Sequence, residues 1–139
     1  MVRLVIHLLV NLEKLQAELP STHHAKLAAA AALEKKADDV VLIDMSSVSI
    51  MADYFLVCSV HTEGHARGVR EAIEESMETS ELKLRRREGS DSSGWVLLDW
   101  GDIVVHIFRG SEREYYDLEG LWGDAPAVKV EDTRSGDAV

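Results

Sequence analysis

The sequence predicts an α/β fold: a single domain with a mixed sheet of about five strands flanked by helices. Three observations carry that prediction. First, Val40–Ile43 is continuously apolar and Tyr54–Val60 is apolar but for Ser59, as strands buried on both faces are. Second, the apolar runs Trp95–Leu98 and Ile103–Phe108 flank Asp99-Trp100-Gly101-Asp102, which reads as a β-hairpin closed by a short polar turn. Third, Ala66, Val69, Ile73 and Met77 recur at helical spacing between these strands, so helices and strands alternate along the chain. A chain of 139 residues is long enough for one domain with one core.

Composition narrows the partners. The net charge is −10, from 15 basic and 25 acidic side chains. Such a chain repels phosphate backbones unless its bases are clustered, so little or no direct nucleic-acid binding is expected, and a basic protein is the easier partner. Arg85, Arg86 and Arg87 form the one basic cluster, a weak nucleic-acid signal on so acidic a chain. A single cysteine, Cys58, excludes a disulfide framework and fits a reducing compartment. The apolar run Leu4–Val10 is short and broken by His7. It suits neither a signal peptide nor a membrane span, and the expected location is the cytoplasm.

Each element has its local reason. Val5, Leu8, Leu12, Leu15 and Leu19 mark an amphipathic helix stopped by Pro20. It defines an N-terminal extension over residues 1–22, which covers the core or serves docking or dimerisation. Ser21 or Thr22 can cap a second helix through Lys26, Leu27 and Ala28–Ala32 to about Ala37. His23 and His24 sit at its start, pointing in different directions. After the strands Val40–Ile43 and Tyr54–Val60, Thr62 can cap the helix of Ala66 and Met77. Arg67, Arg70, Glu71, Glu74, Glu75 and Glu78 fall away from its apolar face and are expected in solvent. His61 and His65 flank its entry without a third metal ligand. Leu82–Glu88 alternates and then turns basic, as a half-exposed strand near an edge does. Gly89–Gly94 is a polar loop into the hairpin. Ser111 and Glu114 have the spacing of a capping box and predict a helix from Glu112. Tyr115, Leu118 and Trp122 then share one face, with Gly123 and Pro126 ending the helix. The domain proper spans residues 23–128. Residues 129–139 lack periodicity and are expected to be disordered.

Chemistry is sparse. The sequence has no glycine-rich phosphate loop, no serine nucleophile elbow and no Cys-x-x-Cys, so no catalytic residues, cofactor or metal are expected. Asp99 and Asp102 could pair on a metal, but Asp and Gly are also what a turn requires. His106 lies mid-strand on the face of Val104 and Phe108, where a hydrogen-bonded structural role is expected. Cys58 reads as a small core residue. All three tryptophans and two of the three tyrosines fall within Trp95–Trp122.

These motifs resemble a known family. KKADDVVLIDMSSVSIMADYFLVCS at Lys35–Ser59, GWVLLDWGDIVVHIF at Gly94–Phe108 and REYYDLEGLWGDAP at Arg113–Pro126 are similar in order and spacing to the bacterial ribosomal silencing factors, the Iojap-like family. The resemblance covers Ala25–Val128, about three-quarters of the chain. It implies a nucleotidyltransferase-like topology without the catalytic signature, and a protein that is not an enzyme. It further implies binding to the large ribosomal subunit through its protein number fourteen, blocking of small-subunit association, and repression of translation. Homodimers occur in the family. Transferred by motif position, the partner face comprises Trp95, Leu97, Asp99, Trp100, Gly101, Asp102, Tyr116, Leu118, Glu119 and Trp122. Trp95, Leu97 and Asp99 share one strand face by alternation, and aromatic and acidic side chains together suit a basic partner. The chain departs from the family pattern at Val60 and in the longer, more apolar Met1–His24 segment. Two other readings remain at this level: a nucleotidyltransferase-like phosphotransfer enzyme, and an RNA-binding module using Arg85–Arg87.

Overall fold

A computed structural model describes residues 20–131. The helix expected over Val5–Leu19 and the tail beyond Glu131 lie outside the described residues. The elements in order are α1 (Pro20–Glu34), β1 (Asp38–Asp44), β2 (Tyr54–Val60), α2 (Glu63–Thr79), β3 (Arg86–Glu88), β4 (Trp95–Asp99), β5 (Ile103–Arg109), α3 (Glu112–Tyr116), α4 (Leu118–Leu121) and β6 (Ala127–Val130). The strands form a six-stranded sheet ordered β3-β4-β5-β2-β1-β6. β2 and β5 are parallel, and the other neighbours are antiparallel.

The α/β class holds, and the sixth strand is the correction. β6 pairs Val130 with Val40 and Ala127 with Ile43. It thus takes in Lys129 and Val130, which show no periodicity of their own. Four residues are too few for a pattern; what makes them a strand is the backbone edge that β1 offers. The opposite edge is shorter than expected. Only Arg86–Glu88 pairs with β4, while Leu82 and Leu84 pack back against the core.

α1 and α2 cover one sheet face. Ala25, Ala28, Ala29 and Ala32 stack along α1 and are buried, and these small side chains let the helix lie close to the strands. Ala66, Val69, Ile73 and Met77 are the buried face of α2, as the periodicity predicts. They meet Val40, Leu42, Leu56, Cys58, Val96, Leu98, Val105 and Ile107 in the main core. Burial raises the Cys58 thiol to about 12, which leaves it an inert core group.

Side-chain hydrogen bonds anchor the helix starts. Thr62 accepts from the His65 N–H at 3.0 Å, the expected cap. His65 uses both ring nitrogens. Nδ1 accepts from the His61 N–H at 3.1 Å, and Nε2 donates to the Lys35 carbonyl at 2.9 Å. The ring therefore ties the start of α2 to the turn after α1. His61 pairs with Asp38. Among the described residues, no group of three His, Cys, Asp or Glu side chains is placed to hold a metal. Neither Ser21 nor Thr22 acts as a cap: α1 begins at Pro20, where no N–H is needed. Both are buried, and Thr22 Oγ1 shares a 3.1 Å hydrogen bond with Tyr54 Oη. Arg70 is not in solvent as expected. It donates from Nε and Nη2 to Asp91 at 2.8 and 3.0 Å and from Nη1 to Glu74 at 3.0 Å. These bonds hold the Asp91 carboxyl below its ordinary pKa and pin the polar loop to α2.

Two substitutions test this account of α2. Thr62→Ala removes the cap and is expected to cost about 1 kcal/mol. Ile73→Ala leaves a core void and is expected to cost about 2–5 kcal/mol. Urea unfolding of both variants measures the order of the two effects.

Candidate functional site

Alternation along the strands sorts side chains between two faces. On β4, Val96 and Leu98 enter the main core, and Trp95, Leu97 and Asp99 point the other way. On β5, Ile103, Val105 and Ile107 enter the core, and Val104, His106 and Phe108 share the second face. Phe55 and Val57 of β2 and Val41 and Ile43 of β1 continue that face.

The second face is covered unevenly. α3, α4 and the segment to Pro126 cross its β1–β2 side. At one end Arg113 Nη1 donates to the Asp39 carbonyl at 2.6 Å and to Ser59 Oγ at 2.9 Å. In the middle Leu118 joins Ile43, Met45, Val57 and Phe108 in a second cluster. At the other end the Asp44 N–H donates to the Pro126 carbonyl at 2.8 Å. On the β4–β5 side, Leu97, Asp99 and Val104 stay half-buried. Arg86 and Glu88 of β3 stand opposite Asp99 and Leu97 in register.

Aromatic rings line this half-open strip. Trp95 lies 4.4 Å from the Tyr116 ring and 5.0 Å from Phe108. Trp122 meets Phe55 edge-on at 6.2 Å. The Trp95 indole Nε1–H donates to His106 Nδ1 at 3.2 Å. With Nδ1 accepting, the neutral ring must carry its proton on Nε2. That Nε2–H is buried with no hydrogen-bond partner among the described residues, a penalty of about 1–3 kcal/mol. Burial lowers the His106 pKa to about 4, so the ring is neutral at pH 7. The expected structural, hydrogen-bonded His106 is thus what the fold contains.

The expected partner residues divide into two sets. Trp95, Leu97 and Asp99 do share one half-buried face, and Tyr116 joins them through its tilted ring contact with Trp95. Trp122 is half-buried beside Phe55, and Asp102 is exposed at the turn. Glu119 is half-buried and bound by Arg113 Nη2 at 2.6 Å, so its charge is matched internally. Three residues do not belong to an open surface. Trp100 is 7% exposed and faces the main core, because a bulky ring at the hairpin end can close that core. Gly101 is buried and sits at φ +95°, with Arg85 packed where a side chain would project. Leu118 is 8% exposed at the heart of the second cluster. Asp99 also serves the turn: its Oδ1 accepts from the Gly101 N–H at 2.7 Å.

The helix after the hairpin differs from expectation. It begins at Glu112, but Ser111 makes no side-chain cap. Asp117 takes a left-handed conformation at φ 47° and ψ 56°, and its carboxylate accepts from the Gly120 N–H at 3.1 Å. α3 and α4 are therefore separate, and Tyr115, Leu118 and Trp122 share no helical face. Tyr115 is exposed while Leu118 is buried. The arginine cluster is interleaved with acidic side chains. Arg86 and Arg87 pair with residues of opposite face parity on β4. Arg86 lies 3.2 Å from Glu88, and Arg87 lies 3.2 Å from Glu74.

Sequence reasoning missed one exposed pair. Ile50 and Met51 are 103% and 82% exposed on the β1–β2 loop. That loop reaches the hairpin turn, where the Asp53 N–H donates to the Asp102 carbonyl at 2.8 Å. An Ile-Met pair ending a serine-rich loop was the available signal.

Fold and face together define a small α/β domain with one sheet surface built from rings, an aspartate and half-buried aliphatic side chains. The sequence model of the family described as ribosomal silencing factor during starvation matches residues 18–138, and the chain belongs to that family. It is 41% identical over 106 residues to the ribosomal silencing factor RsfS of Bacillus subtilis, covering 76% of this chain and 90% of the relative. A crystal structure from Chromobacterium violaceum superposes with a TM-score of 0.72 at 28% identity, over 76% of this chain and 88% of that one. A second, from Bacillus halodurans, gives 0.66 at 36% identity, over 76% and 96%. The family places the chain in ribosome silencing during starvation. Among the described residues, no helix is long and apolar enough to cross a membrane.

Two measurements separate core from surface. Trp100→Ala is expected to cost about 3–5 kcal/mol, and Leu97→Ala about 1 kcal/mol, by denaturant unfolding. His106 titrates near 4 when folded and near 6.5 when unfolded, so the unfolded chain takes up the proton first. Its contribution is complete above about pH 6.5 and is lost as pH falls toward 4, by about 3 kcal/mol. Comparing unfolding free energies at pH 7 and pH 4.5 should show that component in the wild type and not in His106→Phe.

Proposed function

We propose that this protein represses translation by occupying the large ribosomal subunit and sterically blocking its association with the small subunit. It does so in the cytoplasm, without chemistry of its own. The contact is the subunit's protein number fourteen, met by Trp95, Leu97, Asp99 and Tyr116, with Asp102, Glu119 and Trp122 at the rim. One observation carries the reading: a chain of this family leaves the β4–β5 part of one sheet face half-open, with rings and an aspartate on it. Aromatic anchors are typical of interface centres. A net charge of −10 favours encounter with a basic ribosomal protein.

The rival readings have weaker support. Asp99 spends one carboxylate oxygen on its own turn, which favours a turn role over a metal pair for phosphotransfer. Arg86 and Arg87 are matched by acidic neighbours, which disfavours a continuous phosphate-binding surface. Sedimentation equilibrium of the free protein detects a homodimer.

The test is co-sedimentation with purified large subunits, followed by a subunit-joining assay on sucrose gradients. The wild type is expected to pellet with large subunits and to reduce joining. Leu97→Glu and Asp99→Arg should each weaken binding at least tenfold, about 1.4 kcal/mol, while each variant, destabilised by about 1 kcal/mol or more through the lost burial or the lost turn bond, still unfolds cooperatively above the assay temperature. Undiminished binding by both variants would overturn the assignment of this face.

A further inference from the structure

We propose that His106 is a positioning residue: its Nδ1 accepts the Trp95 indole N–H and thereby fixes the orientation in which that ring meets the partner. This inference rests on the binding reading above and adds to it a residue that itself makes no contact with the partner.

The geometry begins with what stacking leaves undecided. Trp95 lies against Tyr116 and Phe108, tilted by 46° and 32°. Ring contacts of this kind tolerate sliding, and the torsion that turns an indole about its own stem has broad, roughly two-fold minima. A flipped indole would keep much of its apolar contact. Only one orientation places Nε1 at 3.2 Å from His106 Nδ1. A directional bond therefore selects what packing alone does not.

The acceptor is itself immobile. His106 is 4% exposed in the middle of β5. Leu97 on β4 and Val57 on β2 stand beside it in register. Phe55 lies against its ring at 4.7 Å. The imidazole cannot follow a wandering indole, so the indole must come to it.

The unsatisfied nitrogen points the same way. These neighbours are apolar, and a phenyl ring at this position would fill the site without burying an Nε2–H, at the cost of the acceptor that the part-buried Trp95 N–H now uses. The imidazole brings a buried Nε2–H that has no hydrogen-bond partner among the described residues. What it supplies that phenyl does not is the acceptor on the other side of the ring, and that acceptor is spent on Trp95. A group that burdens the fold in this way is expected where orientation matters more than stability.

The experiment compares the wild type, His106→Phe and His106→Asn as full chains. Asn carries an acceptor oxygen near the Nδ1 position. The readouts are the melting temperature at neutral pH, the Trp95 indole N–H resonance and its solvent exchange, and affinity for purified large subunits by pelleting. The resonance is assigned by its loss in Trp95→Phe. His106→Phe is expected to melt no lower than the wild type, to shift the Trp95 N–H upfield with faster exchange, and to bind about tenfold more weakly. His106→Asn is expected to restore much of the resonance and the affinity. A folded His106→Phe that binds like the wild type, or an unmoved Trp95 resonance, overturns the proposal. If His106→Phe does not fold, His106→Asn decides: an unprotected Trp95 N–H together with wild-type affinity overturns it. If the wild type itself fails to pellet, the binding reading falls. The resonance then still shows whether His106 holds Trp95, and an unmoved signal removes that as well.

Discussion

β5 is the strand on which both halves of the molecule depend. It pairs in parallel with β2 and antiparallel with β4, so its backbone is held on both sides along its length. Its side chains must therefore satisfy two unlike surroundings in strict alternation. Ile103, Val105 and Ile107 complete the core beneath α1 and α2. Val104, His106 and Phe108 form the floor of the second face. A slip of one residue would put the imidazole among the alanines and an isoleucine under Trp95. The register of one central strand thus decides where the rings of the second face can stand.

The second face works because it is covered unevenly. Two short helices and a loop close its β1–β2 side, and Arg113 is the tie that holds them there. Its side chain is only 12% exposed. It bonds the Asp39 carbonyl, Ser59 Oγ and Glu119 together. A guanidinium buried to that extent is tolerable because its donors are matched. The same bonds carry α3 past the end of β5 and bring Tyr116 onto Trp95. Glu119 gains a structural duty in the process, so less of its charge is available to a partner than its position in the motif suggests. Coverage on one side and rings on the other are two results of one chain path.

Much of this was legible along the chain. β2, the hairpin and the buried face of α2 follow from apolar runs and spacings that few other structures can satisfy. Trp95, Leu97 and Asp99 share a face by the period of a strand alone. Errors cluster where a residue has two local options. Ser111 and Glu114 have the spacing of a capping box, yet the helix start makes no such bond. Asp117 is compatible with a continuous helix but caps a new one from a left-handed conformation. Arg70 looks solvent-bound from helical periodicity, and only the distant Asp91 shows otherwise. Trp100 and Leu118 carry the family motif but spend their area in the interior.

The sequence by itself determined the class of fold, the alternation of its strands and the family, because these rest on periodicity and motif order, which are properties of neighbours along the chain. The tertiary structure alone decided which rings are core and which are surface, where the last strand pairs, and what His106 bonds. Each of those depends on groups brought together from distant positions, and exposure or a hydrogen-bond partner is a property of the packed surroundings rather than of the residue.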